Sequence, residues 1–194
     1  MTEKQCTKEF CDCIMGFQEG MSEIIQAPRT LWDFQLFENK EAFDAGIVKD
    51  AWQCANLVTN QGKNALNDIM FNGATQITAW KMMLFESNTE PALAMTYAVP
   101  VFTESAAYGE AARPAYQSAA SSSQSITNTA NRATFTMNAT KTIYGCALVG
   151  GGSAAGTKSD TAGGGTLYAV SKFAVPKDVI ATNILYIGMT ITQV

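Results

Sequence analysis

Residues 126–152 read ITNTANRATFTMNATKTIYGCALVGGG, and the alternation within this stretch decides the fold. From Thr134 to Ala139 the apolar positions Phe135, Met137 and Ala139 interleave with Thr134, Thr136 and Asn138. That period of two marks a strand with one buried face. Ala139-Thr140 offers a short turn, so a β-hairpin is expected. From Lys141 the pattern changes to TIYGCALV, apolar on both faces. Tyr144, Cys146 and Leu148 are assigned to one face, and Ile143, Ala147 and Val149 to the other. A strand of this kind is covered on both sides, inside a sandwich or by a neighbouring subunit.

Working outward, several more β segments are expected. Thr30–Phe37 (TLWDFQLF) alternates, and Ala42–Lys49 follows a charged turn at 38–41 to complete a hairpin. Ala51–Val58 reads as extended or mixed. Ile77–Phe85, Val99–Thr103, Pro114–Ala120, Thr166–Ala174 and Asn183–Thr192 read as strands. The opening proline places Pro114–Ala120 at an edge. Glu104–Arg113 reads as a surface loop, Pro176-Lys177-Asp178 as a turn, and the glycine-rich 150–165 as an exposed loop. Asn60 is a plausible N-cap for one short helix over Gln61–Phe71, with Ala65, Leu66, Ile69 and Met70 on one face and Asn72-Gly73 as its stop. Some eight short strands with polar connections predict a mainly β chain. The expected architecture is a β-sandwich of jelly-roll or immunoglobulin-like topology, with an N-terminal helical arm and one short helix.

The arm comprises residues 1–29, and the β-rich domain residues 30–194. Phe10, Ile14, Phe17, Met21, Ile24 and Ile25 recur at spacings of three and four and line one stripe. Gly16 and Gly20 weaken such a helix by roughly 1 kcal/mol each, so it needs a partner surface. That surface is the arm's own domain or another subunit.

Composition narrows the chemistry. Charged residues make up 15% of the 194, the net charge is −4, and histidine is absent. The charged share lies below the usual quarter, so polar uncharged residues or other subunits must cover the surface. Without histidine the commonest general base and metal ligand is missing, and a Ser-His-Asp triad is impossible. No basic cluster points to nucleic acid. No apolar run approaches the ~20 residues that span a bilayer, and the first residues lack a signal-peptide core. Five cysteines, an odd number, fit reduced thiols and synthesis in a cytosol. Cys6, Cys11 and Cys13 lack the paired spacing of a zinc site, so no metal and no cofactor are expected. Gly150-Gly151-Gly152 lacks the lysine and the following helix of a phosphate-binding loop. Asp33, Glu38 and Glu41 read as solvated carboxylates, so an enzyme is not expected, and an activity screen of Asp33, Glu38 and Asp44 variants tests that class.

Further motifs carry a resemblance. NLVTNQGKNALNDIMF (56–71) contains N-x-V-x-N-x-G-x-x-x-L, and ITAWKMMLFE (77–86) follows. EAARPAYQ (110–117), the 125–151 stretch, GTLYAVSKFAVPKDV (165–179) and LYIGMTIT (185–192) complete the set. Over roughly residues 54–194 the chain resembles a group of small tailed-bacteriophage virion proteins. The resemblance implies a β-rich virion component assembled in the host cytoplasm, with neither catalysis nor cofactor.

Together these features predict a capsid decoration or cement protein. Its partners are further copies of itself and the major capsid protein or other virion proteins, with no nucleic acid and no membrane. Binding only the assembled shell would stabilise that shell by mass action. The candidate contacts are Phe10, Ile14, Phe17, Met21 and Ile25 of the arm, then Trp32 and Phe34. For Trp32 and Phe34 a place in the protomer's own core is the stronger reading. A tail-side adaptor, tube or fibre-attachment protein is the alternative. A carbohydrate-binding module would depend on Trp80, Tyr108 and Tyr116.

Overall fold

The computed structural model describes residues 29–193. They form a β-sandwich of two antiparallel five-stranded sheets. The first sheet holds β1 (Arg29–Phe37), β2 (Asp50–Ala55), β6 (Ser125–Thr127), β7 (Ala133–Thr136) and β10 (Ile184–Thr192). Its order is β2-β1-β10, with β6 and β7 sharing the far edge of β10. The second sheet holds β3 (Leu57–Val58), β4 (Trp80–Phe85), β5 (Glu104–Ser105), β8 (Lys141–Gly150) and β9 (Thr166–Val179), in the order β3-β9-β8-β4-β5. Two helices accompany them, α1 (Lys40–Asp44) and α2 (Asn60–Phe71).

The 126–152 stretch is a corner and not a hairpin. β7 pairs with β10 in the first sheet, whereas β8 pairs with β4 and β9 in the second. The chain therefore changes sheets between Thr136 and Lys141. Alternation shows that both segments are strands, but it carries no information about which strand each one meets. β8 is covered on both faces as its composition predicts, and the cover comes from this chain. One face meets the first sheet. The other lies under Met95, Tyr97, Phe102 and Ala154, from the loops that follow β4 and β8.

The two faces of β8 differ from the simple alternation. Ile143 joins Cys146 and Leu148 in the core between the sheets, while Tyr144 joins Ala147 and Val149 outside. The cause is an irregularity in the β8–β9 ladder. Ile143 faces Lys177 but Gly145 faces Lys172, so Phe173–Pro176 bulge out opposite a single residue of β8. Bulges bend a strand and re-aim its side chains. Here the bulge follows core-facing Phe173 and tolerates Pro176, which lacks the N–H a regular ladder needs. The expected turn at Pro176-Lys177-Asp178 is thus strand, and the turn falls at 180–183. Buried Asn183 ties that turn down. Its side-chain oxygen accepts from the Ile180 N–H at 3.1 Å, and its Nδ2 donates to the Glu38 carbonyl at 2.8 Å.

The central strand β10 follows its sequence pattern: Leu185, Ile187 and Met189 are buried in the inter-sheet core. Its ladder is interrupted between β6 and β7, and Asn128 fills the gap. The Asn128 side chain accepts from the Met189 N–H at 2.7 Å and donates to the Ile187 carbonyl at 3.3 Å. A buried asparagine can thus complete a ladder that neither edge strand reaches.

Other departures have local causes. Residues 42–49 form α1 and a turn, and the partner strand begins only at Asp50. The Asn39 side chain caps α1 by accepting from the Ala42 N–H at 2.9 Å, and Phe43 packs edge-on against Phe37 and Tyr186. The cap of α2 is Thr59 and not Asn60; its hydroxyl accepts from the Gly62 N–H and donates to the Leu167 carbonyl. Only Gly62 of α2 is fully buried, and Met70 of its predicted face is 69% exposed. Residues 99–103 are irregular, with Val101 at φ 66°. Pro114–Ala120 contributes a single bridge, Lys81 to Ala115. The arm, with Phe10, Ile14, Phe17, Met21 and Ile25, lies outside the described residues.

Gly145 marks the tightest approach in the second sheet. A methyl group there would collide with the Ser171 carbonyl and the Phe85 ring. Gly145→Ala is expected to lower stability by about 2–3 kcal/mol, as overpacking of a filled core does. Urea unfolding followed by circular dichroism reads this as a lower midpoint; an unchanged midpoint would contradict the close packing.

Candidate functional site

Between the sheets, at the end where β1 begins and β10 finishes, the sandwich opens into an apolar groove of about 420 Å³. α2 contributes Leu66, the segment before β4 contributes Ile77, and β4 contributes Trp80. Tyr116, Ile126, Leu148, Tyr168 and Ile191 complete the apolar wall, with Gln76, Thr78 and Ser118 at the rim. Among the described residues no charged side chain lines it.

Local structure accounts for each wall. Tyr168 stands at a second irregularity of the β8–β9 ladder, where Leu148 faces Ala169 but Val149 faces Leu167. The unpaired Tyr168 therefore shares the core side with Ala169, while Leu167 and Val170 face outward. α2 lies close against β9 because Gly62 has no side chain. A Cβ there would sit 2.5 Å from the Tyr168 carbonyl oxygen. Gln61 fixes the helix further, its side-chain oxygen accepting from the N–H groups of Tyr97 (2.8 Å) and Leu167 (2.9 Å). Trp80 packs edge-on to Tyr168 with ring centroids 5.7 Å apart. Burial, with a smaller push from the Tyr168 phenol nearby, moves the Tyr116 hydroxyl up to about 12. Burial raises the Tyr168 hydroxyl as well.

Of the three aromatic residues considered for a sugar platform, Trp80 and Tyr116 meet in this groove and Tyr108 does not. Tyr108 is buried elsewhere against Phe135, with the Lys158 ammonium 4.0 Å above its ring. Ile126, Tyr168 and Ile191 escape a reading by sequence spacing. They come from three strands of two sheets, and the bulge at Tyr168 breaks the alternation that would reveal its face.

A second cluster holds the long loop after β8. Arg113 is fully buried and grips Glu104 through two parallel hydrogen bonds, Nε to Oε1 at 2.9 Å and Nη2 to Oε2 at 2.7 Å. It also donates to the Tyr97 hydroxyl at 2.8 Å and to the Asp160 carbonyl at 2.9 Å. Burial alone would lower the guanidinium's proton affinity, but the bonds to Glu104 and Tyr97 outweigh it and hold the affinity above its ordinary value. Residues 104–113 are therefore not the surface loop their small polar composition predicts. The 150–165 loop, though largely exposed, is anchored at Asp160 and at buried Ala154.

The remaining site candidates are accounted for by packing and ion pairs. Trp32 and Phe34 are 0% and 1% exposed, so within the folded protomer they present no surface to a partner. Asp33 pairs with Arg132, Glu38 with Lys49 and Asp44 with Lys40. Cys146 is buried, and burial pushes its thiol well above the ordinary value, so it is inert. Among the described residues no three His, Cys, Asp or Glu side chains group as metal ligands, and no helix is long and apolar enough to cross a membrane. Comparison with protein-family models, curated proteins and solved structures finds no match to the chain.

Replacing Arg113 by Met leaves Glu104 buried without its cation, a loss of about 3–5 kcal/mol. Adding Glu104→Leu is expected to restore most of that stability, because a well-packed apolar pair replaces a buried ion pair at little cost. Urea midpoints of the single and double variants check this; a double variant no more stable than Arg113→Met would contradict it.

Proposed function

We propose that the chain is a structural virion protein, most consistent with a capsid decoration or cement role. The observation that carries the reading is the apolar surface the sandwich leaves open although its interior is filled. Met70 and Phe71, adjacent at the end of α2, are 69% and 85% exposed. Ile47, Val99, Val101 and Val175 are each more than 60% exposed. Single exposed apolar side chains are ordinary on a monomer. Two consecutive large ones on a helix that buries only a glycine form a knob suited to a pocket on a partner. The low charge of the chain and its resemblance to phage virion proteins support the same reading. So does a fold whose notable clusters are a buried ion pair and an apolar groove. A decoration protein requires a rigid block that binds an assembled lattice, and mass action supplies the stabilisation. A tail-side adaptor, tube or fibre-attachment role is the alternative and uses the same surface in fewer copies.

The test is reassociation of the purified full chain with particles stripped of it. Met70→Ser combined with Phe71→Ser removes the knob without touching the core. Since burying a side chain of this size contributes about 1.5–3 kcal/mol, the variant is expected to bind at least about tenfold more weakly. Unchanged binding would overturn the role given to α2, and no binding by the wild-type chain would overturn the virion reading.

A further inference from the structure

The groove at the open end of the sandwich is an apolar surface whose walls stay half-exposed. Leu66, Ile77, Trp80, Tyr116, Ile126 and Ile191 are each only partly buried. An uncharged lining offers nothing to an anion or a cation, so its natural occupant is a run of apolar side chains.

The position of the chain start narrows the choice. Thr30 is paired directly opposite Ile191, which lines the groove. Opposed residues of antiparallel strands lie about 4.5–5.5 Å apart. The first described strand therefore begins at the rim of the groove. Five residues from Thr30 back to Ile25 span at most about 18 Å, so the end of that segment has the groove within reach. The same segment carries Phe17, Met21, Ile24 and Ile25 at offsets of four, seven and eight, the spacing of an amphipathic helix that docks in a groove.

Size separates a tethered occupant from a free one. A stable interface between separate chains buries about 800 Å² on each partner. A groove of about 420 Å³ accepts only a few side chains. A segment joined at the rim needs no such area, because its effective concentration is in the millimolar range. We infer that residues 17–25 of the same chain dock their apolar stripe in this groove. Leu66 and Ile77 form one wall, Trp80 and Tyr116 the centre, and Ile126 and Ile191 the side nearest the chain start.

Two measurements on the full chain test this. In the first, benzoylphenylalanine is incorporated at Tyr116, the sample is irradiated, and crosslinked peptides are mapped. Crosslinks are expected to fall on residues 14–27 of the same polypeptide, in a species that migrates as a monomer. Crosslinks joining two copies, or none to residues 1–28, would overturn the inference. The second measurement leaves the groove unmodified. Met21→Asp with Ile25→Asp places two charges on the docking stripe, which an apolar site rejects. Acrylamide quenching of Trp80 is then expected to rise about twofold, as the ring loses its cover. The half-buried Trp52 is replaced by Phe in both samples, and Trp32 is buried and provides a constant background. Quenching equal to that of the wild type would overturn the inference. So would a wild-type Trp80 that is shielded only when an oligosaccharide is added, which would assign the groove to a sugar.

Discussion

Phe34 meets Phe173 edge-on, with ring centroids 4.8 Å apart, and through that contact one sheet is fastened to the other. Phe34 belongs to β1 and stacks on Trp52 of β2 at 5.2 Å. Phe173 also touches Trp52 at 5.3 Å, so three rings from both sheets close on one another. Each ring buries roughly 150–250 Å², and geometry of this kind adds about 0.5–1.5 kcal/mol per pair beyond the area. The second sheet is irregular beside this contact. Phe173 keeps to the core side by the same alternation that turns Ala169 inward, and β9 bulges directly after Lys172. That bulge in turn inverts the faces of β8 at Gly145 and accommodates Pro176. The changed faces of β8 and the place of a proline thus trace to one bulge beside this aromatic contact.

The second sheet is buried on both sides, which explains how a chain with few charges covers itself. One face meets the first sheet; the other is roofed by the loops after β4 and β8. Those loops are rich in small polar residues and contribute only a few buried apolar side chains, such as Met95, Tyr97, Phe102 and Ala154. Arg113 compensates by joining Glu104, Tyr97 and the Asp160 backbone in one buried network. A buried ion pair adds little net stability, but it penalises any arrangement in which either member lacks its partner. Its contribution is to hold the roof in one position.

Much of the sandwich was legible in the sequence, for reasons that vary by element. β1 and β10 were readable because each has one buried face, and Trp32, Phe34, Leu185 and Ile187 alternate cleanly. The double cover of β8 was readable from its unbroken apolar run. Its pairing was not, because the partner of a strand depends on distant residues; the supposed hairpin is a corner between sheets. Ala42–Lys49 reads as strand, yet its first residues belong to α1, because that helix depends on a cap at Asn39 and on Phe43 packing against Phe37 and Tyr186. Arg113 was missed because a polar, alanine-rich segment gives no sign of a buried guanidinium. Two of the groove's three aromatic residues, Trp80 and Tyr116, were named from sequence, whereas Tyr168 required the bulge that turns it inward.

The proposed virion role rests on the open apolar knob at the end of α2. The most direct measure of that claim is the copy number of the chain in purified particles, by quantitative mass spectrometry against the major shell protein. The decoration reading predicts an abundance comparable to that of the shell protein. A handful of copies per particle would contradict it and place the chain on the tail side, and absence from particles would contradict the virion reading altogether.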